Sequence, residues 1–593
     1  MKKLSTLLFG AGIAASTMTN AQIQLNRIGG YETGVFDEGA AEIVSYNASN
    51  NYLYSVNSND VTVDIISLID PTAPVKVKSI DLTTAGAGAN AVAVGDDFFV
   101  VAIENANKQA DGKLVFFNLN GDSITEVPAG ALPDNVNISP DGNYIVAANE
   151  GEPSDDYTVD PEGSVTIVDI SNGIDATLSN NTLQINLQSY NGKGIEGAIV
   201  NHNPGSSTVA QDLEPEYVAF NSTSTEAMVV CQENNAVIKI NLASGTNSIL
   251  DTIIGLGFKD WSTTNGFDAS NKSKVVGFKN WNVFGVYQPD ASVGKNIGGV
   301  EYLFTANEGD GRDYDGFEGE ARVKDLALNT SVFSMTDIQN DTLLGRLKVH
   351  AGPGLNPVTN EYDSLFAYGA RSFSIWNAND MSLVYDSESI IEEKVFEADP
   401  VNFNSTNDET AFKNRSDDKG PEPEAIAVGM VGAKYYAFVG LERHGGVMTF
   451  DVTDVNNVSF VDFTNNRNFD VDPTTSAAGD LAPECIIFIP QADNNHGKDL
   501  IVVANEVSGT ISVFEIVETA TYTSNISGNQ FSIFPNPTSG ILNVSEAGNY
   551  EIFDFSGKLV KNVVNSNIIK VSDLANGIYT IKSATESMTF VLK

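Results

Sequence analysis

Short apolar runs that end in a glutamate recur along this chain. The six clearest copies are FVVAIEN (Glu104), YIVAANEGE (Glu150), AMVVCQENN (Glu233), YLFTANEGD (Glu308), YAFVGLERH (Glu442) and LIVVANEVS (Glu506). Two weaker copies lie near Asn57 and Arg371, and with them the spacing between copies runs from 46 to 83 residues. A supersecondary unit repeated at this spacing indicates an array of similar modules.

Each unit has the same order of predicted elements. A first strand opens on a polar or acidic residue, a turn rich in Asn, Asp and Gly follows, and the second strand ends at the repeated glutamate. A third apolar run and a more variable fourth run complete the unit. Their alternating apolar positions and β-branched residues are typical of strands. The first strands open at Glu42, Asn90, Asp134, Glu216, Glu424 and Glu484.

Four-stranded antiparallel units in series predict an all-β fold, a β-propeller. Unit starts at 42, 90, 134, 216, about 300, about 362, 424 and 484 predict eight blades. Seven is the alternative, because the sixth unit is degenerate. The last unit has three convincing strands before Val517, and the segment from Ile23 to Ile28 would supply the missing outer strand and close the ring.

In a propeller the first strand of a blade runs down the channel wall and the second strand returns. The start of the first strand and the end of the second therefore share one face of the molecule. We expect the acidic strand starts and the repeated glutamates to converge around one mouth of the channel. Carboxylates gathered in this way raise one another's pKa unless a cation or hydrogen-bond donors offset their charge.

The charge is strongly acidic and unevenly distributed. The chain has a formal net charge of −44 over 593 residues, with 42% apolar residues, which is ample for large cores. Residues 22–523 carry a net charge of −46, whereas residues 524–593 are neutral, and this shift predicts a domain boundary near residue 520. So acidic a surface argues against nucleic acid or an anionic membrane as a partner and is compatible with divalent cations.

The first residues are typical of a secretory signal peptide. Lys2 and Lys3 precede an apolar stretch, and Ala21 suits cleavage before Gln22. No later segment approaches the ~20 apolar residues of a membrane-spanning helix. We therefore predict an exported monomer with a signal peptide (1–21), a propeller (22–520) and a C-terminal domain (521–593).

Two related loops offer oxygen ligands of the kind that Ca²⁺ takes. They are NEGEPSDDYTVDPEGS (149–164) and NEGDGRDYDGFEGE (307–320), and neither fits an EF-hand. The alternative is that the repeated glutamates accept backbone N–H bonds at blade junctions. The candidate metal ligands are Glu308, Asp310, Asp313, Asp315, Glu150 and Asp156.

Three arginines occupy matching positions at the predicted mouth: Arg322, Arg371 and Arg443. Together with Glu442 they are candidates for binding an anionic ligand, or for neutralising part of the ring. An insertion, Gly257 to Gly299, adds Trp261 and Tyr287. These aromatic rings would stack on a sugar or a peptide if exposed, and a packed loop that covers the mouth explains them as well.

The sequence offers few candidates for a catalytic constellation. The four histidines lack metal-ligand spacing, and no nucleophile elbow, Walker loop or dinucleotide fingerprint occurs in suitable context. The main hypothesis is a propeller that binds a ligand, a small molecule or glycan, at a Ca²⁺-loaded mouth. The alternatives are a Ca²⁺-dependent phosphoesterase of the propeller-phytase kind and a structural surface adhesin.

The C-terminal seventy residues resemble the type A sorting domain of the type IX secretion system found in Bacteroidetes. The residues that carry the resemblance are FPNPTSG (534–540), EIFDFSGKLV (551–560), LANGIYTIK (574–582) and the terminal lysine. The resemblance implies a small β-sandwich, recognition by the secretion machinery, removal of the tail, and release or attachment at the cell surface.

Residues from about 25 to 517 resemble the choice-of-anchor I family of secreted propeller-like domains. The matching stretches are TANEGDGRDYDGFEGEARV, VYQPDA, YGARSFSIW, VGLERHGGVM, GDLAPE and VVANEVSGT. The family has no well-defined activity. Some relatives bear phosphatase or nucleotidase labels, often with a separate metallophosphatase domain, for which this chain has no room.

Overall fold

The computed structural model describes residues 21–200, 207–263, 266–520, 532–554, 558–583 and 587–593. Apart from Ala21, the predicted signal peptide lies outside these residues. The chain divides into two compact units, one of Ala21–Thr519 and one that contains Ala520–Lys593. Each is described by itself below.

The first unit is built from seven antiparallel sheets of four strands each. In order from the channel outward, the strands of blade 1 are Val44–Asn47, Tyr52–Asn57, Thr62–Ser67 and Val75–Asp81; of blade 2 Gly88–Val94, Phe98–Glu104, Asp111–Asn118 and Ser123–Ala131; of blade 3 Pro133–Ile138, Tyr144–Asn149, Ser164–Asp169 and Thr182–Asn186; of blade 4 Tyr217–Phe220, Glu226–Cys231, Ala236–Asn241 and Ile249–Gly255. Those of blade 5 are Ser292–Ile297, Val300–Asn307, Ser372–Asn377 and Ser382–Asp386; of blade 6 Pro423–Val431, Lys434–Leu441, Val447–Asp451 and Ser459–Thr464; of blade 7 Pro483–Ile489, Leu500–Asn505, Thr510–Ala520 and Ala21–Glu32.

The blades form a closed ring. The inner strand of every blade contacts the inner strand of the next, and blade 7 contacts blade 1. A separate apolar cluster fills each of the seven junctions between neighbouring blades. Because both faces of a blade are covered in this way, the second strands are continuous apolar runs rather than alternating ones.

The predicted closing strand is confirmed. Ala21–Glu32 pairs with Thr510–Ala520 as the outer strand of blade 7. Ile23 and Leu25 are buried at the junction of blades 6 and 7, whereas Gln24 is exposed between them. The N-terminal and C-terminal segments of the propeller thus share one sheet.

The expected eight blades are corrected to the alternative of seven. The apolar run near residue 300 is the second strand of blade 5, and the run at 372–377 is the third strand of the same blade. Residues 308–371 are inserted between these two strands, so one blade looks like two units in the sequence. Arg371 therefore precedes a third strand and does not end a second one.

The inserted segments form their own five-stranded sheet beside the propeller strands. Its strands, in order across the sheet, are Phe258–Asp260, Phe284–Val286, Phe366–Ala367, Lys348–His350 and Glu320–Arg322. A short hairpin, Asp313–Tyr314 with Phe317–Glu318, comes just before Glu320–Arg322 in the chain. An apolar cluster that contains Trp261, Phe267 and Trp281 packs this insertion.

Helices are few and short in the described residues. The α-helices are α1 (Val209–Asp212) and α2 (Ile390–Ala398). The 3₁₀ turns are Leu178–Asn181, Gln188–Tyr190, Val323–Asp325, Ser476–Ala478 and Gln491–Asp493. No described helix combines the length and apolar character that crossing a membrane requires.

The second unit contains one five-stranded, sandwich-like sheet. Its strands are Ile533–Phe534, Ile541–Asp554, Leu559–Lys570, Gly577–Lys582 and Ser587–Leu592. The long strand Ile541–Asp554 pairs with three others, and a bridge between Thr538 and Leu592 brings the ends of the unit together. Leu542, Ile552 and Phe590 are fully buried in its core.

Candidate functional site

The inner strands of the seven blades present one polar residue each at the same end of the channel. These residues are Glu42, Asn90, Asp134, Glu216, Asp290, Glu424 and Glu484. Six of the seven are carboxylic acids, and blade 2 contributes an amide instead. Carboxylate oxygens of Asp290 and Glu424, from neighbouring blades, lie within 4.8 Å of each other. Asp290 also raises the pKa of Glu216, Glu424 and Glu484, which come from three different blades.

A repeated backbone device places these acids. In five blades a proline comes immediately before the acid, as in Pro133–Asp134, Pro423–Glu424 and Pro483–Glu484. In those three blades the strand register shifts at this point, so the acid lies in a β-bulge. Bulges re-aim a side chain and are common next to functional sites.

Burial and mutual repulsion raise the pKa of every acid in this ring. Burial raises the pKa of Glu42 and of Asp134 to about 7, and nearby carboxylates add to the effect. The pKa of Glu216, Asp290, Glu424 and Glu484 is raised well above the usual range, by burial first and by neighbouring carboxylates second. The fully ionised ring is therefore costly unless a cation is added.

The repeated glutamates form a second layer against this ring, which confirms the predicted convergence. The pKa of Glu104, Glu150, Glu233, Glu308, Glu442 and Glu506 is raised, in each case mainly by burial. Strand starts and strand ends act on each other, because Asp134 raises the pKa of Glu150, and Glu506 raises that of Glu42.

The tightest grouping in the ring is what we call the channel pocket: Asp290, Glu308 and Glu424. One carboxylate oxygen from each lies within 4.8 Å of the other two. Glu424 is 7% exposed, and its Oε2 atom has no hydrogen-bond partner among the described residues. Burial, and after it the nearby Glu484 carboxyl group, raises the pKa of Glu424. Hard oxygen donors of this kind suit Ca²⁺ rather than a softer metal.

A second group, which we call the lysine pocket, lies beside the first and shares Glu308 with it. It contains Glu308, Glu422 and Glu442, whose oxygens again lie within 4.8 Å of one another. Glu442 is 6% exposed, and its Oε2 atom has no hydrogen-bond partner in the described part of the chain.

Three cations surround Glu422 in the lysine pocket. Arg415 Nη2 lies 2.6 Å from Glu422 Oε1, and Arg443 Nε and Lys419 Nζ lie 2.9 Å and 3.2 Å from Oε2. Burial alone would raise the pKa of Glu422, but Arg415, Lys419 and Arg443 together hold it well below its usual range. Glu422 is consequently ionised even though its side chain is fully buried.

Of the predicted arginines, only Arg443 lies in these pockets. Its side chain is 24% exposed, and its Nη1 atom lies 2.7 Å from Glu442 Oε1. Arg371 is 2% exposed and donates to Glu392 and to the backbone carbonyls of Asp268, Ser416 and Asp418. Every one of these bonds is internal, so Arg371 holds the loops together rather than facing a ligand.

Arg322 lies in the inserted sheet. Its Nη1 atom donates to Asp417 Oδ2 at 2.7 Å and to the carbonyl oxygen of Arg346. The Nε atom of Arg346 lies 3.2 Å from the same Asp417 oxygen. Arg322 is thus part of an ion-pair group separate from Glu308, Glu422 and Glu442.

The structure separates most of the predicted metal ligands. Glu308 lies in both pockets and Glu150 in the layer of repeated glutamates, whereas Asp313 and Asp315 are exposed on the hairpin. Asp310 is exposed too, with its Oδ1 atom 3.5 Å from Lys419 Nζ. No group of three carboxylates in the described residues includes Asp310, Asp313 or Asp315.

The two acidic loops contact each other. The backbone N–H of Gly316 donates to the carbonyl oxygen of Asp155 at 2.7 Å, and Tyr157 meets Tyr314 edge to face with ring centroids 5.5 Å apart. Asp156 is exposed, and its Oδ1 atom accepts bonds from Ser154 and Thr158. These bonds lower the pKa of Asp156 and give it a role in the turn.

The aromatic candidates are buried, so the stacking hypothesis is corrected in favour of the packed insertion. Trp261 is 1% exposed and packs against Phe267, with centroids 4.9 Å apart. Tyr287 is 4% exposed and meets Trp376 edge to face at 4.9 Å. Neither ring has a face that a sugar could reach.

The sequence interpretation missed the central residues Arg415, Lys419 and Glu422. They lie in a loop outside the strand repeat, so the periodic pattern does not reveal them. A local sequence signal for Glu422 does exist. In Glu422–Pro423–Glu424, the proline that precedes an inner strand has an acid on both sides. Asp290 follows Pro289 in the same way.

Two family models match this chain. That of the choice-of-anchor I domain matches residues 42–455, and that of a secretion system C-terminal sorting domain matches residues 532–593. Gigasin-3a from Magallana gigas is 33% identical over 195 residues, which cover 30% of this chain and 66% of that protein. The mesenchyme-specific cell surface glycoprotein of Strongylocentrotus purpuratus is 28% identical over 156 residues, or 23% of this chain and 18% of that protein.

The chain therefore spans less than two thirds of the length of these curated relatives. Among solved structures, the β-propeller domain of Cps50 (Swd1) from Myceliophteria thermophila has 9% identity and a TM-score of 0.40. That match covers 83% of this chain and 100% of the other.

Proposed function

The chain belongs to the choice-of-anchor I family, and we propose that it is a propeller that holds Ca²⁺ in the channel pocket and binds an anionic ligand there. The sorting domain directs the protein to the secretion machinery and to the cell surface or the extracellular space. The observation that carries the proposal is the buried Glu424 Oε2 atom, which lies among the acids of the channel pocket and has no hydrogen-bond partner in the part of the chain that the structure describes.

The residues present fit a calcium ion. Ca²⁺ takes six to eight oxygen ligands, and Asp290, Glu308 and Glu424 would supply the first of them. Glu484 and Glu216 lie next in the ring and add negative charge. A divalent ion would remove the electrostatic cost that raises the pKa of these acids.

Arg443 is the residue that we expect to orient the anionic group. Its guanidinium is held by Glu422 and Glu442, and its partial exposure leaves donors available at the mouth. Planar guanidinium groups bind carboxylate and phosphate oxygens through paired hydrogen bonds. When bound, Ca²⁺ supplies the positive charge that allows an anion to approach so acidic a surface.

The test is a calorimetric titration of the full chain with Ca²⁺ after chelator treatment. We expect stoichiometric binding, and we expect Glu424→Gln to weaken it at least tenfold because it removes one charged ligand. Asp313→Asn is the matched control, since Asp313 is an exposed acid outside both pockets, and should leave the affinity unchanged. Absence of heat and of Ca²⁺ retention in the folded wild-type protein would reject the proposal.

A further inference from the structure

The channel pocket and the lysine pocket are two adjoining acid groups of similar size. Both contain Glu308. Each also has one buried carboxylate oxygen without a hydrogen-bond partner among the residues that the structure describes, Glu424 Oε2 in one and Glu442 Oε2 in the other. Each carboxylate oxygen has two lone pairs, so Glu308 can serve both groups at once. If only the number of carboxylates mattered, the two pockets together would bind two cations.

The two pockets differ in the cations that the protein itself supplies. Lys419 Nζ lies 2.7 Å from Glu308 Oε1 and 3.2 Å from Glu422 Oε2. Among the described residues, no lysine or arginine nitrogen makes a salt bridge with Asp290 or Glu424. Lys419 therefore pairs with the acid that both pockets share and with Glu422, whereas Asp290 and Glu424, which belong to the channel pocket alone, have no such salt bridge in the described residues.

Lys419 is held firmly in this position. Its side chain is 9% exposed, and Arg371 fixes the backbone on one side of it by donating to the carbonyls of Ser416 and Asp418. Gly420 follows with a φ of +75°, and a Cβ atom there would lie 3.1 Å from Arg371 and 3.2 Å from Glu392. The turn that aims Lys419 into the pocket thus needs glycine at this position.

Of the three cations in the lysine pocket, Lys419 is the one whose salt bridge reaches Glu308, the acid that both pockets share. We infer that its ammonium group takes the place of a second ion there, so that the centre takes one divalent ion and not two. Lys419 is then the residue that sets the stoichiometry and directs the ion to Asp290 and Glu424. Its ammonium offers three donors and one positive charge to Glu308 and Glu422, and it repels a second metal ion from the same space. This inference rests on the proposed Ca²⁺ site.

The decisive experiment counts bound ions in the full chain, by calorimetry and by equilibrium dialysis with radioactive calcium. Wild type should bind one ion in the site. Lys419→Met keeps the length of the side chain and removes its charge, and it should bind two. Lys419→Arg restores a positive charge and is the matched control, with one ion expected.

The outcomes separate the two proposals. One ion in both wild type and Lys419→Met, or two ions in wild type, would overturn the role of Lys419 while leaving the Ca²⁺ site standing. No ion in any variant would overturn the proposed Ca²⁺ site itself. Thermal unfolding in chelator shows whether each variant is folded before ions are counted.

A second pair of variants tests the same inference without changing Lys419. Glu424→Gln should weaken the single wild-type ion at least tenfold, whereas Glu442→Gln should change its dissociation constant by less than about threefold. Equal weakening by the two substitutions would place the ion in the lysine pocket and refute the inference.

Discussion

Arg371 and Glu392 form a fully buried ion pair in which Nη1 lies 2.9 Å from Oε1. Glu392 lies in the first turn of α2, which follows the outer strand of blade 5, and Arg371 ends the insertion that precedes the third strand of that blade. The pair therefore joins two segments that enclose the loop of Lys419 and Glu422. Glu392 also accepts a bond from Asn404 at 2.8 Å.

We expect Arg371→Met to destabilise the protein by about 3–5 kcal/mol, because it leaves the Glu392 carboxylate buried without its partner. The double variant Arg371→Met/Glu392→Met should recover part of that loss. Lys394→Met, which breaks the exposed pair with Glu397, is the control and should cost less than about 1 kcal/mol. Urea unfolding measures all three, and an effect of Arg371→Met no larger than that of the control would contradict the prediction.

The acid ring predicts a pH dependence with a definite sign. The pKa of Glu42 is about 7 in the folded protein, above its ordinary value of 4.5, so the folded state binds more protons than the unfolded state between these pH values. Stability should fall as the pH rises through this window and level off above it. Glu422 affects stability outside this window. Because its pKa is lowered, the stability that it contributes is present above about pH 4.5 and is lost as the pH falls below that value.

Differential scanning calorimetry from pH 5 to pH 8 in chelator should therefore show a decreasing Tm. Excess Ca²⁺ should flatten the decrease, because the ion binds the ionised acids of the folded state. Glu42→Gln removes one titrating group and should reduce the slope. A slope in chelator that Glu42→Gln leaves unchanged would show that Glu42 does not titrate as described.

We expect truncation of an aromatic side chain in the core of the insertion to lower the stability of the protein without changing its ligand contacts. Trp261→Ala should cost about 3–5 kcal/mol, since the ring is buried against Phe267 and lies against Gly285, where a Cβ atom would come within 2.6 Å of Trp261 Nε1. Val275 lies in the same insertion and is 71% exposed, so Val275→Ala should lower the stability only slightly. Denaturant midpoints compare the two variants, and similar values would argue against the packed insertion.

Strand periodicity predicts the propeller, the closing strand and the convergence of Glu150, Glu308 and Glu442 from the sequence. The number of blades was harder to predict from the sequence. Residues 308–371 separate two strands of one blade by more than the length of an ordinary unit, so this blade resembles two units. Side-chain exposure was not predictable from residue type: Asp313 and Trp261 had equally plausible roles at the mouth, and only packing decides that the first is exposed and the second buried.

Residues such as Lys419 are harder still to predict. Its position depends on a turn at Gly420 and on backbone carbonyls that Arg371 holds, and neither contact leaves a period in the sequence. The Pro–acid dipeptides are a local sequence signal from which acids at the channel mouth can be predicted. They mark the bulges that aim one acid per blade into the channel.

Blade 7 combines the first and the last strands of the propeller. Asn26 donates to Glu515 across this pair, and the two residues are 489 positions apart in the chain. When a chain is delivered with its N-terminal end first, the outer strand of blade 7 arrives before any of its partners. The ring can close only after the whole array has emerged, and contacts this distant in sequence form slowly. Until then the strand Ala21–Glu32 has no partner, so a holding chaperone would have most to protect at this segment.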